Sequence, residues 1–134
     1  MRVVADTNVL VSAIVFGGPP GRVIELAAEG RLRLVISPAL IDELRDVLRR
    51  KFGFSDAAVY QSETLLRRAG VVVEPARHLA VVIDDPADNR GLEAAEAGGA
   101  EVIVSGDRHL LALGMFGAIP ILSPRELLVK MTAG

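Results

Sequence analysis

The chain has 134 residues, 51% of them hydrophobic, no cysteine, and a formal net charge of −2. That length supports one domain, over 1–134, with a substantial core. The missing cysteines exclude disulfides, thiolate chemistry and cysteine-held zinc or iron–sulfur centres, and one tyrosine, four phenylalanines and no tryptophan exclude a single-strand binder built on aromatic stacking.

Val3–Ala5 reads as a buried first strand, followed by a helix from Asn8 to Val15. Phe16-Gly17-Gly18-Pro19-Pro20-Gly21 reads as a loop, because glycine and proline punctuate regular structure. A helix over Arg22–Glu29 closes at Gly30, and Leu32–Ile36 is a second strand. Ser37-Pro38 is a start signal, a capping hydroxyl and then proline in the first turn, for a helix to about Lys51. Ser55-Asp56 opens another to Ala69, and Val71–Val73 is a short third strand. Asp85-Pro86 begins a helix ending near Gly98-Gly99, with Asp85 fitting the cap. Val102–Ser105 is a fourth strand, His109–Leu113 a helical turn, and Ile119–Leu122 a fifth strand; Ser123-Pro124 caps a last helix to about Met131. Apolar strands alternating with helices predict an α/β fold, a parallel sheet with helices on both faces. The opening Met1-Arg2-Val3-Val4-Ala5-Asp6 is too short an apolar stretch for a signal peptide. No run approaches the ~18 apolar residues of a membrane span. A cytoplasmic location without membrane association is the expectation.

Two acids stand where apolar strands end: Asp6 after Val3-Val4-Ala5, and Asp107 after Val102-Ile103-Val104-Ser105-Gly106. In open α/β sheets, ligands bind outside the carboxyl ends of the strands. The alternative for Asp6 is a helix cap, which Thr7 or Asn8 can also supply; for Asp107 it is an ordinary turn residue. Glu43 falls on the edge of the Leu40/Leu44/Val47/Leu48 stripe, opposite the solvated Asp42, Arg45, Asp46 and Arg49. Asp88 shares a face with Leu92 and Ala95, with Asn89 beside it and Glu93 expected to face solvent. Both Asp85 and Asp88 can instead complement the helix dipole. Four carboxylates converging on one place require a positive charge between them. Hard oxygen donors without cysteine, and with His78 and His109 lacking ligand spacing, point to Mg²⁺ or Mn²⁺. Such ions suit hydrolytic phosphoryl chemistry, one activating water and a second, about 4 Å away, stabilising the leaving oxygen.

These residues resemble the PIN-domain ribonucleases, particularly the VapC-like toxins of toxin–antitoxin pairs. The resemblance runs over essentially the whole chain: Val3-Val4-Ala5-Asp6-Thr7-Asn8, Ser37-Pro38 leading to Glu43, Asp85-Pro86-Ala87-Asp88-Asn89 with Leu92-Glu93-Ala94-Ala95, and Ser105-Gly106-Asp107. It implies that Asp6, Glu43, Asp88 and Asp107 bind Mg²⁺ or Mn²⁺ and activate water for RNA cleavage, supported by Thr7 and Asn8, with Ser105 beside the fourth acid. It also implies a three-layer α/β/α fold around a five-stranded sheet of order 3-2-1-4-5, a homodimer, and an antitoxin protein that covers the acidic cleft. His109 stands where many relatives carry an acid, and Gly91 where a larger residue is common.

Thirteen of the fifteen basic residues are arginine, which suits bidentate phosphate contact. Arg2, Arg45, Arg90 and Arg108 are the candidate RNA contacts; Arg49-Arg50-Lys51 and Arg67-Arg68 read more readily as solvated helix faces. Two other readings stand beside the ribonuclease. A haloacid-dehalogenase-like phosphatase also has an acid after its first strand, but Asp6-Thr7-Asn8 lacks the second acid of its Asp-x-Asp site. A binding module of the same fold, impaired in turnover, would hold RNA or protein without cutting.

Overall fold

The buried aliphatic triplets of this sequence become the central strands of a sheet with order β3-β2-β1-β4-β6-β5 in a computed structural model, which describes residues 1–75 and 86–133, and the backbone alone at 86–88 and 133. The strands are β1 (Arg2–Ala5), β2 (Arg33–Ile36), β3 (Gly70–Val72), β4 (Val102–Val104), β5 (Met115–Phe116) and β6 (Ile119–Leu122). The helices are α1 (Thr7–Val15), α2 (Gly18–Ala28), α3 (Pro38–Phe52), α4 (Asp56–Ala69), α5 (Pro86–Gly98), α6 (Arg108–Leu113) and α7 (Pro124–Ala133). All pairings are parallel except that of β5 with β6. His78 and Asp85 lie outside the described residues.

Successive strand residues feed opposite faces. Val3, Ala5, Leu34, Ile36, Val102 and Val104 join one core with α1, α2 and α4. Val4, Val35 and Ile103 join a second with α5 and α6. Burial on both faces explains why these strands are uninterrupted apolar runs instead of alternating ones. Gly98, at the end of α5, allows that helix to seat on β2: a Cβ there would lie 2.3 Å from a Val35 methyl.

Two expectations change. Among the described residues the sheet has six strands, not five: the order 3-2-1-4-5 survives as β3-β2-β1-β4-β6, and the two-residue β5 adds an antiparallel edge beyond it. So short a strand, closed by glycine at positive φ on either side (Gly114 and Gly117), carries too few residues for a pattern of period two. The Pro19-Pro20 stretch is not a loop. α2 begins at Gly18, because the first helical N–H groups need no intrahelical partner and proline loses nothing there. The break between α1 and α2 spans Phe16 and Gly17, the latter at φ 76°, and turns the axis by 94°. Among the described residues, no single helix is long and apolar enough to cross a membrane.

Candidate active site

Asp6 and Asp107 meet through one hydroxyl. β1 and β4 are parallel neighbours at the centre of the sheet, and the Asp6 amide donates to the Val104 carbonyl at 3.0 Å. Just past β4, the buried Ser105 Oγ donates to Asp6 Oδ2 and accepts from the Asp107 amide at 2.9 Å. Two acids about a hundred residues apart in sequence therefore share one serine at the carboxyl edge of the sheet.

Both acids also cap helices, as the structural reading of each allows. Asp6 Oδ1 accepts from the Val9 amide at 2.9 Å at the start of α1. Asp107 Oδ1 accepts from the His109 and Leu110 amides at 2.8 and 3.3 Å at the start of α6. Each carboxylate is thus oriented by backbone amides. A carboxylate oxygen has two acceptor sites, so one amide bond does not exhaust it.

Asp6 is only 3% exposed, and Thr7 beside it 4%. The Thr7 hydroxyl is buried with no hydrogen-bond partner among the described residues. An orphaned oxygen costs stability unless something occupies it, and its place next to the acid pair matches an oxygen-seeking ligand. The donor set, carboxylates and hydroxyls, fits a hard divalent cation. Among the described residues, no three acidic or histidine side chains cluster tightly enough to hold an ion by themselves.

Glu43 and Asp88 come from flanking helices. α3 packs against both α1 and α5, and α1 against α5, so the three elements that carry Asp6, Glu43 and Asp88 are mutual neighbours. Glu43 is half-buried, on the edge between buried Leu40 and half-buried Val47, and not on the solvated side with Asp42 and Asp46. Asp88 lies in the first turn of α5, and its side chain is outside the described residues. Asn89, one residue on, is buried.

Glu93 departs from expectation. It is 4% exposed and pairs with Arg90 at 2.7 Å. Periodicity assigned α5 one buried face, but Gly91–Ala95 is buried throughout, because the helix is enclosed by β1, β2 and β4 and by α1 and α3. The small residues Gly91, Ala94 and Ala95 were the available signal of close packing on several sides.

The four arginines separate. Arg2 is at the amino end of β1, the opposite end from Asp6, and donates to the Gly98 carbonyl at 2.9 Å. Arg45 is held by Glu63 and Asp42, and Arg90 by Glu93. Arg108, next to Asp107, is exposed and makes no ion pair among the described residues. Arg125, at the start of α7, is likewise exposed and without an ion pair there; its distance in sequence from every acidic motif gave no reason to single it out.

A parallel α/β sheet with paired acids beyond its two central strands is suited to phosphodiester hydrolysis. The chain belongs to the PIN-domain family: the family model described as PIN domain matches residues 2–109, a span containing Asp6, Glu43, Asp88 and Asp107. PIN domains are in general nucleases that act on RNA with divalent metals. The fold is also similar to the crystal structure of PAE2754 from Pyrobaculum aerophilum, with TM-score 0.64, 21% identity and full coverage of both chains. No curated protein matched the sequence.

Proposed function

We propose that this protein is a Mg²⁺- or Mn²⁺-dependent endoribonuclease, a single catalytic domain over 1–134, and the toxin of a toxin–antitoxin pair. The observation that carries the catalytic part is the Asp6–Ser105–Asp107 linkage beside the orphaned Thr7 hydroxyl. Asp6, Glu43, Asp88 and Asp107 are the residues that would hold the ion. A divalent ion bound there would lower the pKa of a bound water and offset the charge on the cleaved phosphate.

The chain's own contribution is positioning. Ser105 ties the Asp6 carboxylate to the Asp107 backbone, so the Asp6 carboxylate cannot rotate without losing a buried bond. The Val9 amide holds Asp6 Oδ1, the His109 and Leu110 amides hold Asp107 Oδ1, and Asn8 extends the same edge. Arg108 is placed to meet an RNA phosphate next to Asp107. Arg45 and Arg90 are engaged with carboxylates and serve the helices instead.

The dimer and the antitoxin belong to the same proposal and rest on the resemblance to VapC-like toxins; a cytoplasmic location is proposed with them, from the sequence's lack of a signal-like or membrane-spanning stretch. They predict a particle of twice the chain mass, and a small DNA-binding protein, encoded next to this chain, that suppresses its activity. The catalytic part is tested by incubating purified protein with a mixed RNA pool with and without Mn²⁺. Cleavage that requires the ion supports it. RNA binding without products, or a covalent phosphoenzyme, contradicts it.

A further inference from the structure

A cavity of about 470 Å³ opens beside the acid pair, lined by Asn8, Ser12, Pro19, Pro20, Gly106 and Arg125 among others. Asn8 is two residues from Asp6, and Gly106 adjoins Asp107, so the cavity shares the sheet edge on which the acids stand. Its volume is in the range of small-ligand pockets. The lining combines the apolar rings of Pro19, Pro20 and Pro124 with a few polar residues, Asn8, Ser12, Ser123 and Arg125. That composition suits a planar heterocycle with polar edges better than an aliphatic or strongly charged ligand.

Among the described residues, Arg125 is the only charged one lining the cavity, and it makes no ion pair there. A guanidinium offers donors only. Guanine presents two acceptors, O6 and N7, on one edge, which arginine meets bidentately; adenine places a donor there, and the pyrimidines have no matching pair. Phosphate contacts position an RNA, whereas contacts to base edges specify it. We propose that this cavity seats a guanine nucleoside flanking the scissile phosphate, with Arg125 reading the base and Pro19 and Pro20 packing on its face. The inference rests on the ribonuclease reading and adds a sequence preference to it.

The test titrates the full chain with guanosine and uridine 5′-monophosphates, followed by NMR, and maps cut sites in the RNA pool. The guanosine nucleotide should bind at least tenfold more tightly, and cuts should be enriched for G at one fixed flanking position. Arg125→Ala, at an exposed position, should erase both preferences. Gly106→Phe should block binding, since a Cβ there meets nothing within 4 Å and its backbone is not at positive φ. Equal binding of the two nucleotides, or an Arg125→Ala variant weakened uniformly for both, overturns the subsite. RNA cleavage without any base enrichment overturns it too, and leaves the ribonuclease standing. A guanosine preference in a protein that cuts no RNA keeps the nucleotide site and removes the ribonuclease reading.

Discussion

The acids at the carboxyl edge of the sheet and those on the outer face of α3 and α4 are held in different ways. On the outer face, Glu63 accepts from Arg45 through one oxygen and from Arg67 through the other at 2.7 Å, while Arg50 pairs with Asp46 and Arg49 with Asp56. These are charges matched by charges in or near solvent. Such pairs contribute on the order of 0–1 kcal/mol each. At the sheet edge, the described bonds of buried Asp6 and half-buried Asp107 come from backbone amides and one serine. Amides and hydroxyls orient a carboxylate while leaving its charge in place, which suits a site and serves poorly as a glue.

Breaking the sheet-edge arrangement should affect activity far more than stability. Asp6→Asn should lower Mn²⁺-dependent cleavage by about a thousandfold, the scale on which losing one transition-state charge contact is felt. Asparagine caps helices about as well as aspartate, so the thermal midpoint should move little. A variant with wild-type cleavage would place the chemistry elsewhere.

Ser105→Ala is the next largest. It removes the shared hydroxyl and leaves Asp6 Oδ2 and the Asp107 amide without that bond. Cleavage should fall roughly 10–100-fold, as when outer-shell partners of a metal site are removed, with a stability loss of about 1–3 kcal/mol in denaturant titration. Loss of stability with undiminished cleavage would make the serine a purely structural bridge.

The smallest effect belongs to the outer face. Burial pushes the Glu63 carboxyl up, but hydrogen bonds from Arg67 and Arg45 outweigh it and hold the group below the usual carboxylate range. Its contribution is therefore complete above the unfolded value of about 4.3 and is lost as pH falls through the lower folded value. Glu63→Gln should cost no more than about 1 kcal/mol at neutral pH, and this difference from wild type should shrink below about pH 4. Cleavage at neutral pH should be unchanged.

The legibility of the sequence followed the same division. Asp6 and Asp107 were visible because a carboxylate directly after a run such as Val3-Val4-Ala5 is conspicuous, and the helix starts at Ser37, Ser55 and Ser123 because capping chemistry is local. Ser105 was noted beside Asp107, but its bond to Asp6 spans 99 positions and follows only from the pairing of β1 with β4. Glu93 was misplaced because helical periodicity presumes one solvated face, and α5 has neighbours on several sides. β5 has only two residues, too few for a repeat. Arg45 and Arg90 were candidates by composition; the carboxylates that occupy them are set by tertiary packing.

The most direct test of the account is Mn²⁺ binding by the purified protein, followed by calorimetry or by the electron paramagnetic resonance signal of the free ion. Wild type should bind the ion, and Asp6→Asn and Asp107→Asn should each weaken binding at least tenfold, on the scale of losing a carboxylate ligand, while Glu63→Gln binds as wild type does. Equal affinity in all four proteins would contradict the claim that the sheet-edge carboxylates gather a divalent ion.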